Sequence, residues 1–215
     1  MDKNIIGIII SVIYIGLILG TSKFVEKQSE EASRKYVHIM LANWWIIVML
    51  CFDSVIYASI LPAAFVIINS ASYKFNIIKS MEREKNDGFG TIYYAITLLI
   101  LAIFTMKIGK PIVGLAGVLV MGYGDGFAAI IGKKFGKKEF HVFGATKTIA
   151  GSLTMFIISL SILIPIFMFL GIELGIIKAI MVAIVATILE FVSSKGLDNI
   201  TVPLLVSFLT YLFII

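Results

Sequence analysis

One aspartate stands among closely spaced glycines in the run Gly122-Tyr123-Gly124-Asp125-Gly126, which continues through Gly132, Lys133, Lys134 and Gly136; Lys147, Thr148 and Gly151 follow. Glycine lacks a Cβ, so its backbone can approach a ligand closely and adopt positive φ. Both are expected of Gly122, Gly124, Gly126, Gly132 and Gly136. Asp125 falls near the end of an apolar stretch, and an ionisable group there is costly to bury and marks a functional candidate. Its short carboxylate suits Mg²⁺, which takes one or two carboxylates plus phosphate oxygens. Lys133 and Lys134 could neutralise a triphosphate. Lys147, with Thr148 beside it, sets a cation just before a helix start, where backbone N–H groups also attract anions. The same residues admit a structural role, because glycines in membrane helices serve close packing and lysines after a span anchor topology.

Three further clusters carry chemistry. In Arg34-Lys35-x-x-His38 two cations share a helical face with an imidazole, able to hold phosphate or, through His38, to act as a general base. Glu190 precedes Gly196-Leu197-Asp198-Asn199, ending at Pro203, so Asp198, Asn199 and Glu190 supply oxygen ligands for a metal beside Asp125. Asp198 taken alone is also an ordinary helix N-cap. The last cluster, Glu82-Arg83 through Asn86-Asp87-Gly88 to Tyr93-Tyr94, is mostly a turn and helix start, with Arg83 a phosphate contact. Arg34 and Arg83 are the only arginines among 18 basic residues, and arginine grips phosphate bidentately where lysine is a point charge.

The elements that must position these groups are membrane helices. Of 215 residues 60% are hydrophobic and only 14% charged, with a mean hydropathy of +1.04. A soluble domain carries about 25% charged residues, so lipid is the solvent for most of the chain and a water-soluble fold is excluded. The reading is a single all-α transmembrane catalytic domain over residues 1–215, a polytopic bundle of seven to eight helices, with no cleaved leader. Spans of about 20 apolar residues are read at 5–22, 37–52, 55–70, 89–106, 111–131, 148–171, 175–192 and 200–215. Only Asp53 and Ser54 part the second from the third. The pair is either two crossings or one re-entrant unit. Cys51 is the only cysteine, so no internal disulfide exists, and it reads as a small buried hydrophobe.

With eight spans, the loops after the first, third, fifth and seventh hold fourteen of the 18 basic residues and the other side holds four. Cytoplasmic loops carry that excess, so both termini lie outside. All four clusters then fall on the cytoplasmic side of the cell inner membrane, where nucleotides are.

Together these residues resemble the CTP-dependent lipid-kinase family that includes dolichol kinase, phytol kinase and yeast-type diacylglycerol kinase, related to phosphatidate cytidylyltransferase. The match consists of Arg34-Lys35-x-x-His38, Gly124-Asp125-Gly126 through Gly132 and Gly136, Lys147-Thr148-x-x-Gly151-Ser152, and Asp198-Asn199 with Pro203. The resemblance implies γ-phosphoryl transfer from CTP to the hydroxyl of a membrane lipid alcohol (polyprenol, phytol-like or diacylglycerol) with a divalent cation. Asp125 would be catalytic or metal-binding, Lys147 a nucleotide-phosphate contact, and Asp198 with Asn199 the completion of the site. Gly196-Leu197-Asp198-Asn199 stands in place of the cytidylyltransferases' C-terminal signature. Ala128-Ala129 stands where a second aspartate often follows the first.

A cytidylyltransferase forming a CDP-lipid is the alternative within the same class. A small transporter is the alternative outside it, and would place ionisable groups at mid-membrane or pair broken helices in two similar halves; neither pattern is present. The expected partners are the lipid alcohol, a nucleoside triphosphate and the bilayer, with no nucleic acid.

Overall fold

The structure, a computed structural model, describes residues 2–27, 29–75 and 89–215. Arg83 and the turn at 82–88 lie outside the described residues. The elements run α1 (Lys3–Glu26), α2 (Glu30–Ala42), α3 (Trp44–Cys51), α4 (Val55–Phe75), α5 (Gly90–Lys107), α6 (Pro111–Phe135), β1 (Glu139–Val142), β2 (Ala145–Thr148), α7 (Ile149–Phe169), α8 (Gly175–Val192) and α9 (Asp198–Leu212). Six of these helices (α1, α4, α5, α6, α7 and α8) are long and apolar enough to cross a membrane, and α9 is a shorter apolar helix. A polytopic all-α bundle is therefore the fold.

The second apolar segment is helical on both sides of one turn residue, Asn43. Asn43 keeps helical dihedrals between α2 and α3, and its neighbours bond on each side as Asn43 N–H to Met40 O and Ile46 N–H to Asn43 O. The unit crosses the bundle completely. At its far end Asp53 and Ser54 donate backbone N–H groups to Asn4 Oδ1 at 3.1 and 3.3 Å, at the start of α1. Its near end, Ser33, donates its hydroxyl to Ser22 O near the other end of α1 at 3.0 Å. α4 then returns, and Asn69 Nδ2 reaches Thr91 O at the start of α5 at 3.0 Å. The second and third segments are thus two crossings and not one re-entrant unit, which supports the eight-segment reading.

Helix α6 is the axis. In its most apolar stretch 56% of residues are buried, where no other span exceeds 39%, and it packs against α2, α3, α5, α7 and α9. Small residues allow this. A Cβ on Gly114 would lie 2.2 Å from the Trp45 ring, and one on Gly117 2.3 Å from Pro203 O. Lipid tails are as apolar as the side chains, so packing contact and not water exclusion holds such helices together.

A feature the sequence reading missed is the β1–β2 hairpin between α6 and α7, with Val142 opposite Ala145 and Glu139 opposite Thr148. Its two-residue turn, Phe143-Gly144, has φ of 47° and 84°, the paired positive values of a type I′ connection. Thr148 ends β2 and caps α7, its hydroxyl accepting from Gly151 N–H at 3.0 Å.

Candidate active site

Four elements converge at one end of the bundle. α2 begins there under the cap of Ser29, whose hydroxyl accepts from Ala32 N–H at 3.4 Å, with Glu30 and Glu31 suited to the positive helix start. One turn on, Lys35 Nζ donates to Asp125 Oδ2 of α6 at 2.7 Å, and His38 Nε2 stands 3.5 Å from the same oxygen. The pair is enclosed, with side-chain exposures of 9% for Lys35 and 14% for Asp125. Two clusters 90 residues apart in sequence therefore meet through one carboxylate.

The turn from α8 to α9 arrives beside them. Gly196, at φ 81°, brings that turn so close to α5 that an added Cβ would lie 2.4 Å from Gly90 Cα, a fit only glycine permits. Asp198 opens α9 and accepts from Asn199 N–H at 3.0 Å. Asp125, Asp198, Asn199, Arg34, Lys35 and His38 all line one cavity of about 410 Å³. Helices α1, α3, α4 and α5 supply the rest, apolar at Ile15, Leu19, Trp44, Leu61, Phe65 and Leu98 and polar toward the head end at Ser22, Lys23, Glu26, Asn69 and Thr91.

Lys147 and Glu190 form a second enclosed ion pair, Nζ to Oε1, with side-chain exposures of 13% and 6%. They do not line the cavity, yet Lys147 lies within electrostatic reach of Asp125, and Glu190 of Asp125 and Asp198. β2 delivers Lys147 to this position, and the end of α8 delivers Glu190.

Other predicted contacts sit differently. Lys133 is 76% exposed and pairs with Glu31 at 2.8 Å, an interaction that holds the Glu31 carboxyl below its ordinary range. Lys134 lies over the Phe135 ring, 5.2 Å from its centroid. Neither lines the cavity. The expected positive φ at the glycines is corrected. Gly122, Gly124, Gly126 and Gly132 are helical residues of α6, and Gly136 caps it at φ −71°. Protein fills the space over them. A Cβ would lie 2.3 Å from Met155 Sδ at Gly124, 2.4 Å from Ile39 Cγ1 at Gly126 and 2.8 Å from Thr148 Oγ1 at Gly132. At Gly136 it would lie 2.3 Å from Gly132 O. Close packing of α6 against α2, α7 and β2 uses the missing side chains.

The donor set suits a hard cation. Among the described residues no three His, Cys, Asp or Glu side chains gather into a metal site of their own. Asn199 Oδ1, however, is buried without a hydrogen-bond partner, in the cavity that Asp125 and Asp198 share. Two carboxylates and one amide oxygen are the partial set that Mg²⁺ completes with phosphate oxygens and water.

Sequence reasoning left one group of residues aside. Tyr94 had been read only as part of a helix start, yet it lines the cavity with its ring 4.8 Å from His38. Its hydroxyl is buried and lacks a hydrogen-bond partner. The apolar wall from Trp44, Leu61, Phe65 and Leu98 also went unseen, because each is an ordinary apolar residue in a span.

No protein-family model and no solved structure matches the chain. Curated proteins do. A phytol kinase of Synechocystis is 32% identical over 204 residues, covering 89% of this chain and 84% of that protein. Phytol kinase 1, chloroplastic, of Arabidopsis thaliana is 31% identical, covering 85% and 66% respectively. An uncharacterized protein of Methanocaldococcus jannaschii is 37% identical over 136 residues, covering 62% of this chain and 64% of that one. At this identity and coverage, the chain belongs to the family of lipid kinases that includes phytol kinase.

Proposed function

We propose that the chain transfers the γ-phosphoryl group of a nucleoside triphosphate, CTP by family likeness, to the hydroxyl of a membrane lipid alcohol at the cytoplasmic face. The observation that carries this reading is the two-ended cavity, with Lys35, His38, Asp125, Asp198 and Asn199 at one end and hydrocarbon walls at the other. Phosphoryl transfer asks a protein mainly for positioning and charge neutralisation. Arg34 and Lys35, with Lys147 nearby, neutralise the triphosphate. Asp125, Asp198 and Asn199 would hold Mg²⁺, and Glu190 keeps Lys147 in place. The cation, when bound, offsets the charge on the phosphate oxygens.

The lipid hydroxyl lies against His38 and Asp125. Its oxygen bonds to the γ-phosphorus as the bond to the bridging oxygen breaks, and its proton passes to His38. A lipid phosphate and a nucleoside diphosphate leave. An apolar acceptor suits the walls, since a soluble sugar would leave its hydroxyls without partners there.

The test uses purified protein in bilayer nanodiscs, Mg²⁺ and CTP labelled at either the α- or the γ-phosphorus, with a panel of lipid alcohols. The γ-label is expected on the lipid, and a chelator is expected to abolish the transfer until Mg²⁺ is restored. An α-labelled lipid product would instead mean cytidylyl transfer. No labelled lipid with any triphosphate would refute the kinase reading.

A further inference from the structure

We infer that the cavity is a blind site for a single hydrocarbon chain, with Trp44 as its floor, so that Trp44 sets how much of the acceptor's chain the protein holds. This rests on the lipid-kinase reading only for the identity of the head group.

On four of its walls the cavity reaches a similar depth. Its deepest lining residues are Ile15 on α1, Trp44 on α3, Leu61 on α4 and Leu98 on α5, and its polar end is marked on the same walls by Ser22, His38, Asn69 and Thr91. At 1.5 Å of rise per residue those pairs are separated by about 9 to 12 Å along their helices.

The floor is held in place. Trp44 is 3% exposed, and its indole N–H donates to Ser11 Oγ at 2.9 Å in a buried contact. Beyond it the bundle closes, with Phe52 against Gly7. Between floor and polar end the lining is Leu19, Val37, Leu41, Pro62, Phe65 and Ala95, with no charged group among them.

Depth and volume together select the ligand's shape. An extended chain advances about 1.25 Å per carbon–carbon bond of about 1.5 Å, so the apolar part accommodates roughly seven to ten carbons. A volume of about 410 Å³ is near the small end of the range of about 300–1,000 Å³ for small-molecule sites. With the head group at the polar end, that volume matches one extended chain better than two acyl chains joined near the head group. Because the chain comes from a bilayer that is already apolar, the site discriminates by shape and packing and not by removal from water.

The experiment uses the full-length protein in nanodiscs with a primary alkanol bearing a photoreactive diazirine at carbon ten, and a second probe with the diazirine at carbon three. The carbon-ten probe is expected to mark Trp44, Leu61 or Leu98 and the carbon-three probe His38 or Tyr94, each assigned to the single residue by fragment-ion mass spectrometry. Labelling of lipid-facing residues alone by both probes would overturn the inference.

Kinetics supply the second readout. Trp44→Ala should raise kcat/KM for a decanol ending in a phenyl ring, relative to plain decanol, by about tenfold or more, while Trp44→Phe leaves the ratio near that of the parent. Should Trp44→Ala fail to fold, Leu98→Trp on the facing wall should lose labelling by the carbon-ten probe and keep it for the carbon-three probe. Diacylglycerol phosphorylated as efficiently as a single-chain alcohol would refute the one-chain site. Correct labelling without phosphorylation of any alcohol would leave this site standing and refute the kinase reading.

Discussion

Replacing Lys35 with methionine leaves the Asp125 carboxylate enclosed at the head of the cavity without its ammonium partner. The magnitude follows from the geometry. Nζ and Oδ2 are 2.7 Å apart, with 9% and 14% of the two side chains exposed. Two unit charges at that separation attract by about 6 kcal/mol at an effective dielectric constant of about 20. Most of this offsets the loss of hydration, so the pair adds little net stability, yet removing one partner of a buried pair costs about 3–5 kcal/mol. For a chain of this size each kcal/mol moves Tm by about 2–4 °C, so a fall of roughly 6–20 °C is expected. Asp125→Asn strands the cation and should fall in the same range. The double variant Lys35→Met with Asp125→Asn removes both charges, so its cost should be smaller than the sum of the two by about 2 kcal/mol or more. Thermal unfolding in one fixed detergent, followed by tryptophan fluorescence, measures all four proteins. Single variants within about 0.5 kcal/mol of the parent, or strictly additive costs, would refute the argument that the pair is enclosed and coupled.

Other expectations follow from the same geometry. Gly126→Ala drives a methyl group to within 2.4 Å of Ile39 Cγ1 and should cost about 1–3 kcal/mol by overpacking. Adding Ile39→Ala should restore both stability and phosphoryl transfer, and a stable but inactive double variant would give Gly126 a role at the phosphates instead. Glu190→Gln removes the ion-pair partner of Lys147 and should lower kcat/KM by about a hundredfold through misplacement of that ammonium; an unchanged rate would remove Lys147 from the site. On a Cys51→Ser background, His141→Cys in the exposed hairpin should react with a membrane-impermeant maleimide in inside-out vesicles and not in intact cells, as the charge bias of the loops requires. Labelling from outside the cell would reverse the orientation.

The hydrophobic runs, the excess of basic residues on alternate loops and the presence of a carboxylate near the end of an apolar segment were all readable from the chain as text. Each depends on composition within a window of about 20 residues and on the length needed to cross hydrocarbon. Arg34, Lys35, His38, Asp125, Asp198 and Asn199 were legible for a related reason, because polar groups in such a chain are few and each needs an explanation. Which groups face one another was not legible. Gly124 and Gly126 have the composition of a phosphate cradle, and only the placement of Met155 and Ile39 against them assigns their space to packing. Lys133 and Lys147 read as similar cations, yet one is turned outward to Glu31 and the other is enclosed with Glu190. The wall ending at Trp44, Leu61 and Leu98 was invisible, since apolar residues cover both the lipid face and the interior face of a membrane helix. That is the physical limit: in water the polar side of a helix marks its outside, and in a bilayer no such contrast exists, so tertiary packing alone decides which apolar face encloses a cavity.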